Sequence, residues 1–171
     1  MNLSNKFEGK NISEKYKKMA EKTKKSFNEK FYNKKRKCLY DVVGDGKIRP
    51  NQLFALSLTY PVINPTSTVA KEMIETVNKK LLNKYGLKTL AKGEENYVET
   101  YEGDGARRDF SYHQGITWTW LFGLYYDSIK KLATNAKNKT DKARYETMLK
   151  DFVKDVKKTF AEELFERGCI G

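Results

Sequence analysis

ITWTWLFGLYYDSIKKL, residues 116–132, is apolar nearly all round for its first eleven positions. A helix with that pattern is buried on every side. NQLFALSL, residues 51–58, reads the same way, and Pro50 before it suits a first helical turn. A buried strand is the rival reading there, because so short an apolar run has no decisive period. The other long segments are one-sided. From about Ser13 to Asn33, Tyr16, Met19, Ala20, Thr23, Phe27 and Phe31 fall at helical spacing, with lysines opposite and Ser13 as N-cap. From about Ser67 to Tyr85 the stripe is Val69, Met73, Ile74, Val77, Leu81 and Leu82, with Gly86 as C-cap. From about Thr140 to Arg167 it includes Tyr145, Met148, Leu149, Phe152, Val153, Val156, Phe160, Leu164 and Phe165, and Gly168 ends it.

Half-exposed and buried helices therefore alternate along the chain. That order predicts an all-α fold of two layers, with about five helices, buried ones inside and amphipathic ones outside. An α/α toroid has this arrangement, whereas a simple four-helix bundle would be amphipathic throughout. Short hairpins fit within 86–102.

The 171 residues suffice for one domain. A net charge of +12, almost all from lysine, would attract nucleic acid or an anionic membrane if gathered on one face. Here the lysines are dispersed at helix-surface spacing among glutamates, which argues against a nucleic-acid partner. No apolar run reaches the length of a membrane span. Cys38 and Cys169 form no CxxC pair and no disulfide framework, which fits a reducing, cytoplasmic setting.

The loops before the two apolar segments, 38–52 and 101–115, hold most of the polar detail. DVVGDGKI (41–48) has Asp41, Asp45 and Gly46 at calcium-loop positions, but Val43 and Gln52 stand where carboxylates are needed, so it reads as a glycine turn. YEGDGARRD (101–109) lacks a phosphate-loop pattern and reads as a loop with Asp104 or Asp109 paired to Arg107 or Arg108. His113 is the sole histidine, with no metal-ligand or triad companions, and taken by itself reads as structural. Neither metal nor cofactor is expected. Trp118 and Trp120 read as core, or, on an inner wall, as an apolar platform for a sugar face.

CLYDVVGDGKIRPNQLFALSLTYPVI (38–63) and LLNKYGLKTLAKGEENYVETYEGDGARRDFSYHQGITWTWLFG (81–123) closely resemble the C-terminal glucosidase domain of glycogen debranching enzymes. The resemblance rests on blocks in family order: LYDVV, IRPNQLFALSL, KYGLKTL, YEG and RDFSYHQGITWTWLFG. It is close over 38–126 and looser through the flanking helices. It implies one partial α/α-toroid domain over 1–171. It also implies amylo-α-1,6-glucosidase chemistry, the hydrolysis of an α-1,6-linked glucose at a trimmed glycogen branch. Asp41, Arg49, Asn51, Gln52, His113, Gln114, Trp118 and Trp120 match motif positions that face the pocket. Arg49 pairing only with Asp41, and Gln52 only holding a loop, are the structural alternatives. YHQG is expected to open the inner helix, with TWTWLFG packing behind it.

Related inverting enzymes use an acid and a base carboxylate roughly 6.5–9.5 Å apart. By the resemblance, the acid belongs to a tryptophan-glycine-arginine-aspartate-threonine stretch before this chain's first residue. The base belongs to a stretch that follows the glycine matching Gly171. The expectation is thus no catalytic residue within the chain and no activity alone. A non-catalytic glycan-binding or interaction module, or one half of a split glucosidase, is the alternative. The expected partners are glycogen or a branched α-glucan, together with the rest of the toroid or a second copy. Thr59 and Thr119 stand where the family has proline, which bears only on helix starts.

Overall fold

The computed structural model describes residues 10–169. Helix α1 (Lys10–Lys30) leads into a two-stranded hairpin, β1 (Tyr32–Asn33) and β2 (Cys38–Leu39). A loop then reaches a 3-10 turn, Pro50–Leu53, which continues as the short helix α2 (Phe54–Ser57). Helix α3 (Thr68–Lys80) is followed by β3 (Leu82–Asn83) and β4 (Gly86–Lys88). After a long loop come α4 (Gly105–Ser111), β5 (Thr117–Trp118), α5 (Leu121–Asn135) and α6 (Lys139–Arg167). The order β3-β4-β5 is antiparallel throughout, with Leu87 opposite Trp118. The fold is all-α in class, with these strand pairs as stitches between helices.

The core forms where α3, α5 and the turn into α2 converge. Leu53, Leu56, Met73, Ile74, Val77, Leu81, Leu87, Leu121, Tyr125 and Ile129 are all buried there. Apolar area removed from water is the main stabilising term, about 25 cal/mol per Å². Helix α6 lays Tyr145, Met148, Leu149, Phe152, Val156 and Phe160 against this core, and Phe152 meets Phe122 and Tyr125 edge-on at 5.1 Å each. Its caps are local and explicit. Asn138 accepts from the Asp141 N–H, and Gly168 closes the C-terminus at φ +70°.

Several expectations need correction. The apolar run at 116–132 is not one helix. Residues Thr117 and Trp118 pair with β4, and the helix begins only at Leu121. Once it begins, its buried residues, Leu121, Phe122, Tyr125, Ser128, Ile129, Leu132 and Ala133, fall on one stripe. It is therefore one-sided, not buried all round, because the leading apolar residues are extended backbone and turn. In the 51–58 segment, Phe54 and Leu58 face solvent while their neighbours are buried.

Helix α3 ends five residues earlier than Tyr85. Gly86 is a strand residue: a Cβ there would lie 2.5 Å from the Trp118 carbonyl oxygen, so the close β4–β5 seam requires glycine. Its N-cap, Ser67, accepts from the Ala70 N–H. Ser13 is not an N-cap, since it lies inside α1. The stripe on α1 is half used. Phe27 and Phe31 stack at 4.4 Å, and Phe27 packs on the core, whereas Tyr16, Met19, Ala20 and Thr23 remain exposed. Leu164 and Phe165 are likewise exposed near the end of α6.

Candidate functional site

The loops between helices bring their polar groups to one cavity of about 690 Å³. It is lined by Asp41, Val42 and Asp45 from the first loop, by Arg49, Pro50 and Asn51 at the start of the 3-10 turn, and by Thr89 after β4. Tyr112, His113, Trp118, Trp120 and Leu121 complete it. Six of the eight residues singled out by sequence thus share one wall: Asp41, Arg49, Asn51, His113, Trp118 and Trp120.

Arg49 organises this wall. Its guanidinium donates to the Thr89 carbonyl (3.2 Å), the His113 carbonyl (2.7 Å) and Gln114 Oε1 (3.1 Å). The anticipated pairing with Asp41 is therefore replaced by carbonyls and an amide, which the planar fork of an arginine can serve together. Gln114 stands behind the cavity rather than in it. Its side chain answers Arg49, and its carbonyl accepts from the Val98 N–H at 2.6 Å. Gln52 is buried, and its amide bridges two backbone groups. Its Oε1 accepts from the Leu39 N–H (3.2 Å) and its Nε2 donates to the Arg49 carbonyl (2.8 Å).

YHQG does not open the inner helix. It is a turn after α4, and it ends on Gly115 at φ +142°, where a Cβ would lie 2.3 Å from the Val98 carbonyl oxygen. The Gly115 N–H donates to buried Thr89 Oγ1 at 2.9 Å. The turn is thereby pinned to the β4 end, and His113 is left exposed at the mouth. Nor does the TWTW segment pack entirely behind the turn. Trp118 is half-buried and donates from Nε1 to the Tyr112 carbonyl at 3.4 Å, whereas Trp120 is 59% exposed.

Tyr112, which the sequence pattern by itself does not single out, links the aromatic wall. Its ring meets Trp118 at 4.8 Å and His113 at 4.9 Å, both edge-on, and lies 5.9 Å from Tyr101. Trp120 lies 6.5 Å from Phe54 on the other side. Tyr112 stands beside His113 in the motif, which is the signal that points to it. Thr89 carried no such signal, since its part depends on the β4–β5 pairing.

Helix α4 lies within the 101–115 segment, which reads as loop in sequence. Asp104 caps it, accepting from the Arg107 N–H at 2.8 Å, so this carboxylate serves the backbone and not an arginine side chain. Arg108 instead donates to the Gly103 carbonyl. Glu102 and Asp104 both lie away from the cavity lining. Asp45 accepts from the Lys47 N–H (3.0 Å) and pairs with Lys47 Nζ at 3.8 Å. Below the loop, Arg36 clamps Glu94 with two hydrogen bonds, of 3.0 and 2.5 Å, and donates to the Gly46 carbonyl at 2.7 Å. Burial pushes the Cys38 thiol above its ordinary range. Among the described residues, no three His, Cys, Asp or Glu side chains converge as a metal site would need, and no helix is long and apolar enough to cross a membrane.

A helical scaffold whose loop ends gather hydrogen-bonding side chains and indole rings around one open cavity belongs among all-α domains with a polar, aromatic-walled site. The family model described as amylo-alpha-1,6-glucosidase matches residues 1–168. The chain belongs to that family, a glucosidase-type domain of the kind found in glycogen debranching.

Proposed function

We propose that this cavity is a glucosyl subsite for a branched α-glucan, glycogen among them, and that the chain forms a substrate wall of an α/α-toroid glucosidase. The observation that carries the reading is the convergence of Asp41, Arg49, Asn51, His113, Trp118 and Trp120 on one cavity. Carboxylate, amide and imidazole groups bond hydroxyls directionally, and indole faces cover the C–H side of a pyranose.

Hydrolysis with inversion needs an acid and a base carboxylate roughly 6.5–9.5 Å apart. The carboxylates lining the described cavity are Asp41 and Asp45, and Asp45 is already engaged by Lys47. On this reading the chain binds and orients the sugar, and the proton-transferring groups come from segments that complete the toroid, or from another copy. The two free cysteines, Cys38 buried and Cys169 exposed, are in keeping with a reducing cytoplasmic location.

The test pairs two measurements on the purified chain. Calorimetry with an oligosaccharide bearing one α-1,6-linked glucose should give saturable binding, and a limit dextrin should release no glucose. Rapid glucose release would overturn the binding-only assignment. Absence of binding at millimolar sugar would overturn the subsite itself.

A further inference from the structure

The aromatic wall does not stop at the cavity. Tyr101 lies outside the lining, 52% exposed, with its ring 5.9 Å from that of Tyr112. Tyr112, itself partly exposed, meets Trp118 at 4.8 Å. Three rings thus run from the cavity wall out onto the surface. Each centroid step is comparable to the advance from one glucosyl unit to the next along an α-glucan.

The outermost ring is held in place. The Val98 N–H donates to the Gln114 carbonyl at 2.6 Å. The Tyr97 hydroxyl accepts from Lys88 Nζ at 2.8 Å and donates to Glu99 at 3.2 Å. Residues 97–99 are therefore fastened to the YHQG turn and to β4, two positions before Tyr101. A ring positioned before binding loses little freedom on contact. Tyrosine also suits a sugar by type, with an apolar face for C–H groups and a phenolic oxygen for hydroxyls. On the opposite side of the cavity Trp120 leads to Phe54, beside exposed Leu58. Neither of those two side chains has a group that can bond a hydroxyl, so the tyrosine side is the better path for a glucan.

We propose, resting on the assignment of the cavity as a glucosyl subsite, that Tyr112 and Tyr101 form an outer arm for the α-1,4-linked chain that carries the branch. Tyr101 then sets a preference for branches on longer chains over the same linkage in a disaccharide.

Two probes are titrated into the full chain by calorimetry. One is isomaltose, and the other is maltopentaose bearing a single α-1,6-linked glucose on its central unit. The branched probe should bind at least about fivefold tighter, a gain of about 1 kcal/mol. In Tyr101→Ala that ratio should fall below about twofold, while Tyr101→Phe, which keeps the ring, should retain most of it. The ratio is taken within each protein, so a change in folded fraction cancels. Phe54→Ala should leave the ratio as it is. Failure of both probes to bind would overturn the cavity reading and the arm with it. Isomaltose binding as tightly as the branched probe, a ratio that survives Tyr101→Ala, or one that falls only with Phe54→Ala would overturn the arm alone.

Discussion

Arg49 donates to the carbonyl oxygen of His113 across 2.7 Å, joining positions 64 residues apart in sequence. One guanidinium thereby fixes the distance between the 3-10 turn and the YHQG turn, the two sides of the candidate sugar cavity. With Thr89 and Gln114 as its other acceptors, it holds three segments at once.

Arg49→Met should cost about 2 kcal/mol of stability, since it leaves several acceptors of a half-buried cluster unpaired. Arg49→Lys should recover less than half of that, because one ammonium cannot copy the fork. Urea unfolding of the three proteins checks both. Equal midpoints would show that the bridge contributes nothing.

Trp120→Ala separates binding from folding. Its ring is 59% exposed, so the melting temperature should barely move. If the ring covers a sugar face, oligosaccharide binding should weaken roughly tenfold, in line with the ~1.5 kcal/mol upper range for an aromatic contact. Trp118→Ala, by contrast, should lower both, since that ring also packs on the core. Unchanged affinity in the Trp120 variant would remove the platform from the site.

Gly86→Ala places a methyl group against the Trp118 backbone, 2.5 Å from its carbonyl oxygen. The β4–β5 seam has to open, at a cost of about 3 kcal/mol, the upper range for overpacking. Thermal unfolding would show it. A gain in stability, as expected for Gly→Ala in unstrained backbone, would contradict the seam geometry.

Alkaline pH should unfold the protein through Tyr32. Burial, then its hydrogen bond to Glu72, push its hydroxyl up to about 12 from 10.0. The folded state therefore keeps a proton that the unfolded state loses. The stabilisation is complete below about pH 10 and disappears as pH rises through about 12. Burial shifts Tyr125 in the same direction. Guanidinium titrations across that window should show a falling midpoint for the native chain and a shallower fall for Tyr32→Phe. Identical slopes would mean that Tyr32 titrates normally.

The all-α class was legible in sequence because the stripes of α3 and α6 repeat at 3.6 residues and carry their own caps. The strand stitches were not. Leu82–Asn83 and Thr117–Trp118 are two residues each, too short for an alternating pattern, and they exist only because β4 lies between them. That is also why the apolar run at 116–132 reads as one helix in sequence. Around the cavity, the motif marks out residues that the fold brings together, Asp41, Arg49, Asn51, His113, Trp118 and Trp120, but not the contacts each one makes. Gln52 and Gln114 are of a type that suits a sugar hydroxyl, and their hydrogen bonds to the Leu39 N–H and to the Arg49 carbonyl and guanidinium depend on long-range packing that no local pattern announces.

The half-used stripe of α1 has a consequence for hydrogen exchange. From Tyr16 to Thr23 the helix has little to lean on, while Lys24 and Asn28 reach the Pro61 and Val62 carbonyls and Phe27 packs inward. Helical turns without tertiary support are marginal in water. Backbone amides should thus exchange quickly near Lys15 and slowly near Asn28, so that one continuous helix holds two stabilities, with the border near Lys24.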